Sequence, residues 1–351
     1  MKKILFLCIL AITILLCGCQ NGKGYEIALI TDVQNVNDGS FNEGAWNGIS
    51  KYGEENLVTY KYYPSASKTK EEYIKSIDFA IEKGAKIVIC PGYYFETAIF
   101  EAQNKYPNVN FVILDGSPHD EDMTDRTCGK NVKCIYYAEQ EAGFIAGYSA
   151  VKDGYRKLGF MGGMELPAVI RYGYGFVQGA DYAAEEIGVD NIEINYLYTG
   201  TFNATRDVQA TAAEMYDSGT EAIFACGGRI VNSITIEAET RDKKVIGVDV
   251  DQSEKSKCII TSAMKELSYS VYTTLDEYYK GEFNGGEIVT LDSQNNGVGI
   301  PMETSRFQNF TKDDYKKIIE KINSGKVKIK DEKEVDSLKT FELKKVKIIS
   351  N

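Results

Sequence analysis

From Glu26 onward the chain alternates short apolar runs with longer amphipathic ones. Residues 27–30, 58–63, 86–90 and 109–114 are apolar runs of strand length, bounded by polar or glycine-containing stretches. Between them, residues 41–54, 70–83 and 96–105 carry apolar positions at helical spacing. The order β-α-β-α-β-α-β predicts a parallel sheet with helices on both faces, each crossover right-handed. The pattern restarts after Tyr137, with strands at 157–161, 192–196 and 222–225 and helices at 168–187 and 206–218. Two successive doubly wound units predict an α/β protein of two lobes, each with its own sheet. A further strand at 245–248 and a helix after Met264 follow. A three-crossing hinge is expected near Tyr137, Gly247 and Leu291. Residues 19–137 then form the first lobe and 138–246 the second. Residues 247–291 return to the first lobe, and 292–351 pack mainly on the second.

Residues 1–18 stand apart from this pattern. Lys2-Lys3 form a positive start, and residues 4–16 an apolar run too short to span a bilayer comfortably. Leu16-Cys17-Gly18-Cys19 has the form of a lipobox, which predicts cleavage before Cys19 and a lipid on its sulfur. Several acyl chains at Cys19 would give stable anchoring on the extracytoplasmic face of the cell membrane. A plain signal peptide ending near the same point is the alternative. Either way the rest is exported, because no later apolar run has the length of a membrane span.

Composition narrows the chemistry. A net charge of −11 leaves no basic stripe for a nucleic-acid polymer, but does not disfavour an uncharged nucleoside. The lysines between Lys326 and Lys347 are interleaved with Asp and Glu and read as a solvated surface. After Cys19 the cysteines are Cys90, Cys128, Cys134, Cys226 and Cys258. The short spacing of Cys128 and Cys134 in an exported chain suggests a disulfide. The other three sit in or beside apolar runs, as core hydrophobes do. With His119 as the one histidine, no zinc-ligand pattern is present, and no metal or cofactor is expected.

In open α/β sheets ligands bind beyond the carboxyl ends of the strands. Thr31-Asp32 follows the first strand, then a polar loop to Asp38-Gly39-Ser40-Phe41-Asn42. Ser40 suits a helix N-cap, and Phe41 and Asn42 open the helix facing the cleft. Asp115 follows the fourth strand, and Asp249 ends the strand at 245–248. Gly162-Gly163 and Gly227-Gly228 follow two others, where glycines permit tight turns or close approach of backbone to a ligand. There is no phosphate-binding glycine motif and no GxSxG nucleophile for His119 to serve. Binding is the better reading than catalysis.

These residues resemble the BMP family, the basic-membrane-protein or PnrA-like lipoproteins. The similar blocks are Thr31-Asp32 with Asp38-Gly39-Ser40-Phe41-Asn42 and Trp46; residues 162–167; 173–179; Gly200-Thr201-Phe202; 245–252; and 261–265. The resemblance covers essentially the whole mature chain. It implies a type I periplasmic-binding-protein fold and a purine nucleoside receptor that serves an ABC transporter permease. It further implies that Phe41 and Phe202 stack on the two faces of a purine. Asn42 and Asp115 would bond the base edge with Asp32 close by, Asp249 and Lys265 the ribose hydroxyls, and the backbone of Gly228 would add a bond. The sequence departs from the family at Ala204 and Val208, where an Asp and a Gly are usual, and at Arg229, where small residues are common. The loop between Asp249 and Lys265 is also short. Rival readings are a sugar receptor of the same fold, a surface sensor without a transporter, and an enzyme. The missing nucleophile disfavours the last.

Overall fold

The computed structural model describes residues 24–33 and 35–349. Cys19 and the leader lie outside the described residues. The first lobe opens with β1 (Ile27–Thr31), α1 (Phe41–Asn56), β2 (Tyr60–Pro64), α2 (Lys70–Glu82) and β3 (Ile87–Pro91). It continues through a single 3-10 turn (Tyr93–Phe95), α3 (Glu96–Lys105), β4 (Asn110–Leu114) and β5 (Val132–Tyr137). Every residue of β1 and of β3 is buried. That is why these strands read as unbroken apolar runs: a parallel strand with helices on both faces has no wet side.

The chain then crosses to the second lobe. There it forms α4 (Glu139–Asp153), β6 (Lys157–Gly162), α5 (Pro167–Ile187), β7 (Ile192–Tyr198), α6 (Arg206–Asp217), β8 (Ala222–Cys226), α7 (Ile230–Thr240), β9 (Lys244–Asp249) and β10 (Ile259–Lys265). It returns for α8 (Leu267–Lys280) and β11 (Glu287–Leu291), and crosses again to β12 (Val298–Gly299), α9 (Lys312–Asn323) and β13 (Val346–Ile349). The sheet orders are β11-β5-β4-β3-β1-β2 and β12-β10-β9-β8-β6-β7-β13. All pairings are parallel except β10 with β12.

The crossing expected at Gly247 is therefore corrected. Gly247 lies inside β9, which pairs with β8 and β10 in the second sheet, and the chain leaves that lobe only after Lys265. The crossings run side by side. Ala138 N–H donates to Leu291 O at 2.8 Å, and Glu266 N–H to Gly297 O at 2.9 Å.

Cys128 and Cys134, expected as a disulfide, stand as two thiols with their sulfurs 3.5 Å apart. A turn closed by Val132 N–H on Gly129 O brings them together.

Two features hold the second lobe. α4 and α5 pack backbone to backbone across glycines: a Cβ on Gly143 or Gly147 would lie 2.1 Å from the carbonyl oxygen of Tyr172 or Phe176. Reciprocally, a Cβ on Gly175 or Gly179 would lie 2.0 Å from the carbonyl oxygen of Gln140 or Phe144. The C-terminal segment is pinned by buried carboxylates. Asp153 accepts the N–H groups of Gln308, Asn309 and Phe310, and Asp181 those of Lys344, Lys345 and Val346. Substituting Gly147→Ala or Gly179→Ala forces the two helices apart, and overpacking of this kind costs about 1–3 kcal/mol or more. The expected outcome is a lower unfolding midpoint for each variant in heat or urea. Wild-type midpoints would show that the helices have room to spare.

Candidate functional site

All eight residues singled out in the sequence line one cavity between the lobes: Asp32, Phe41, Asn42, Asp115, Phe202, Gly228, Asp249 and Lys265. The reason is topological, since the ends of β1, β4, β9 and β10 converge there. Asp115 and Asp249 stand at or just past strand ends with φ of 57° and 64°. Left-handed backbone is uncommon for residues other than glycine, though Asp tolerates it better than most, and such outliers cluster at functional sites.

The loop after β1 is organised by Asp38, which sequence reasoning left without a role. Its buried carboxylate accepts the N–H groups of Ser40 at 2.8 Å and of Asn42 and Glu43 at 3.0 Å. Asp38 thereby caps α1. Ser40 makes no cap bond with its side chain, and its hydroxyl instead donates across the cleft to Asp249. Burial pushes the Asp38 carboxyl up to about 6, against the pull of its three N–H donors. Asp32 pairs with Lys68 at 3.0 Å, and Lys68 lies over the Tyr94 ring.

Phe202, on the loop after β7, sits in a slot made by glycines. A Cβ on Gly163 would come within 2.2 Å of its ring, and one on Gly227 within 2.7 Å. At Gly228 a Cβ would meet the Phe202 backbone and Cβ at about 3 Å. The glycine pairs after β6 and β8 thus seat an aromatic ring as well as opening the cleft. Phe41 enters from the opposite lobe, at the first turn of α1.

Lys265 is 2% exposed. Its ammonium reaches Asp115 at 2.5 Å and Glu139 at 2.8 Å, and lies 4.8 Å from the Phe41 ring centre and 5.4 Å from those of Tyr137 and Tyr172. Burial alone would lower its pKa, but Asp115, Glu139 and Asp249 overcome that and raise it, so the ammonium stays charged. Burial pushes the Asp115 carboxyl up to about 7, with Lys265 opposing and Glu139 adding. The Asp249 carboxyl is also raised by burial. One oxygen of Asp115, Oδ1, is buried and accepts no hydrogen bond from the described residues. It is an acceptor left without a donor in a residue that lines the cavity.

Tyr93 and Tyr94, Leu166 to Val169 and Tyr172 complete the lining. The two tyrosines obey the rule of looking just past a strand, here β3, but the helical spacing that begins at Glu96 hid their 3-10 turn. Arg229 stands outside the lining and donates to Asn37 O at 3.3 Å across the lobes. Val208 is a core residue of α6 rather than part of the site.

The fold and the sequence can now be set beside known proteins. A solute-binding protein of an ABC transporter system from Aeropyrum pernix superposes with a TM-score of 0.70 at 22% identity, covering 86% of this chain and 87% of that one. One from Conexibacter woesei gives 0.69 at 20% identity, over 87% and 99%. These establish a periplasmic solute-binding-protein fold. The ABC transporter nucleoside-binding protein BmpA of Lactococcus lactis is 30% identical over 329 residues, 84% of this chain and 90% of the relative. Basic membrane protein A1 of Borrelia garinii is 29% identical over 85% and 86%, and a lipoprotein of Pyrococcus horikoshii 27% identical over 79% and 69%. The family matched is one of substrate-binding proteins rather than enzymes. Residues 26–333 match the description "ABC transporter substrate-binding protein PnrA-like", and the chain belongs to that family.

Proposed function

We propose that this protein captures purine nucleosides in the interlobe cavity and delivers them to the permease of an ABC importer, held at the outer face of the cell membrane by lipid on Cys19. The observation that carries the reading is that aromatic rings from opposite lobes, Phe41 and Phe202, line one cavity together with buried carboxylates and one ammonium. A flat heteroaromatic ring uses both phenyl faces, while its N–H groups and a sugar diol supply the donors that carboxylates require. A nucleoside-binding relative at 30% identity supports the same reading.

In this reading Asn42 and the unpartnered oxygen of Asp115 bond the base edge, with Asp32 close by. Asp249 and Lys265 hold the ribose, and the Gly228 backbone adds a contact. The arithmetic of Lys265 allows this. An ammonium has three donors; Asp115 accepts one and Glu139 stands 2.8 Å away as an ion-pair partner, so at least one is left for a ligand oxygen.

Three outcomes test the proposal. In isothermal titration, inosine, guanosine or adenosine binds the wild type. Phe41→Ala and Phe202→Ala each weaken that binding by about 1–3 kcal/mol, the worth of a base–aromatic stack. Asp249→Ala costs a nucleoside about 1.5–3 kcal/mol for a lost charge-assisted hydrogen bond, and costs free hypoxanthine little. Binding of ribose or hexoses with no response to any purine overturns the nucleoside assignment.

The second outcome concerns pH. Asp115 sits at about 7 and Asp249 is raised, and only their ionised forms accept two-sided hydrogen bonding from ligand donors. Nucleoside affinity therefore falls as pH drops through 7, and titrations across that range check it. For folding of the ligand-free protein the sign is opposite. A carboxyl raised by the fold contributes stability present below its unfolded pKa and lost as pH rises through its folded one. Asp38 and Asp115 make that window roughly pH 4 to 7.

Third, Cys19→Ala leaves an unprocessed precursor or releases the protein from the membrane. Lipid labelling reads the difference, and labelling that survives the substitution excludes Cys19 as the anchor.

A further inference from the structure

Behind the cleft runs a line of five alternating charges: Asp115, Lys265, Glu139, Arg171 and Glu332. Lys265 bridges Asp115 and Glu139 Oε1. Arg171 Nε donates to Glu139 Oε2 at 2.5 Å, and its Nη1 to Glu332 Oε1 at 2.6 Å. Glu139 is 0% exposed and Arg171 7%. Neither lines the cavity.

We propose that Glu139 and Arg171, with Glu332 as outer anchor, are positioning residues of the ligand site. They hold the Lys265 ammonium so that it engages only one oxygen of Asp115 and keeps one donor for the ligand. The proposal rests on the reading that Asp115 and Lys265 touch the ligand.

The argument is one of donors, acceptors and charge. Lys265 is too deeply buried for water to satisfy its three N–H groups, so each carboxylate in reach competes for them. Glu139 has one oxygen on Lys265 and the other side of its carboxylate on Arg171, which fixes it between two cations. Without Glu139 the ammonium would be free to straddle both oxygens of Asp115, consuming the acceptor now left without a partner. Arg171 in turn would face Lys265 with no anion between them. The placement also spans the molecule. Glu139 opens α4 just after the first crossing, Lys265 closes β10 at the second, Arg171 lies on α5, and Glu332 belongs to the C-terminal segment. The segment at the far edge of the second lobe is thereby wired to the cleft.

The charges also set how Asp115 titrates. Facing it are Lys265 from β10, Glu139 from α4, Arg171 and the Tyr172 phenol from α5, and the Tyr137 phenol from β5, while Asp249 from β9 acts on Lys265. Glu139 contributes a negative charge that disfavours ionisation of Asp115. Although burial opposes ionisation of Glu139 itself, Arg171 and Lys265 hold its carboxyl below the ordinary range.

The test uses the whole mature protein with Glu139→Gln, Glu139→Asp and Glu332→Gln. Carbon-13 NMR of the aspartate carboxyls follows Asp115 in ligand-free protein, and isothermal titration with inosine at pH 8 follows binding where Asp115 is ionised. In Glu139→Gln the Asp115 midpoint falls by about one pH unit or more, as expected when a like charge is removed nearby. Inosine affinity falls about tenfold or more, the scale of one charged hydrogen bond. Glu139→Asp recovers part of both. Glu332→Gln, at the less buried end, shows the same signs at smaller size, and decides the matter if Glu139→Gln does not fold. An unmoved Asp115 midpoint in the folded variants overturns the proposal, as does weaker binding with an unmoved midpoint, which marks a merely structural role. If the wild type binds no purine nucleoside, the purine reading falls separately, while the Asp115 titration still decides whether the charges act on the site.

Discussion

The ammonium of Lys265, out of water and between Asp115 and Glu139, is the interaction on which the site depends. Burying a lone charge costs several kcal/mol even after relaxation, and only close opposite charges with good hydrogen bonds offset it. That requirement dictates where the partners must come from. Asp115 arrives on the end of a first-lobe strand, Glu139 on the helix after the first crossing, and Lys265 on the strand before the second. The two lobes can therefore satisfy the lysine only in the relative position that brings these three ends together. Such a buried network specifies an arrangement more than it adds stability, and here the arrangement specified is the cleft.

Glycine plays the complementary part where charge has no role. On α4 and α5 it removes side chains so that two backbones meet, and around Phe202 it removes them so that one ring can lie flat against the chain. The cleft consequently has a rigid second-lobe wall. Phe202 is held by the backbones of two different turns, whereas Phe41 rides on a helix whose cap, Asp38, belongs to the loop after β1.

Much of this was legible in the sequence, and the failures have physical causes. Asp32, Asp115, Asp249 and Lys265 stand at or just past the ends of parallel strands, and the rule that ligands gather there is enough to find the first three. Phe202 came with the family resemblance, because nothing in a loop's own residues says that its ring has a slot prepared by Gly163 and Gly227. α4 escaped notice because it is buried nearly all round from Ala142 to Val151, so it has no polar stripe to reveal its period. The return to the first lobe was placed at Gly247 because a strand's residues show that it is buried, not which sheet it joins. β11 has an exposed, charged start at an edge, and β13 is short and lysine-flanked, so neither shows a strand's alternation. Glu139 and Arg171 are 32 residues apart, and Glu332 lies 161 beyond Arg171. Ion pairs at such separations leave no local pattern.

The contacts that close the lobes bear on how a ligand would act. Across the cleft, Ser40 donates to Asp249, the Gln252 amide to Gly39 O at 2.8 Å, and Arg229 to Asn37 O at 3.3 Å. Each is a polar contact of the kind worth about 0.5–1.5 kcal/mol net, and the last is exposed to water. With the Asp115–Lys265 pair they set the relative position of the two walls. A ligand that contacts both walls at once adds interactions present only in the closed arrangement, and a difference of about 5.5 kcal/mol moves a two-state equilibrium from 1:99 to 99:1. Asp115 and Asp249 thus belong both to the contacts that join the lobes and to the lining that a ligand would meet.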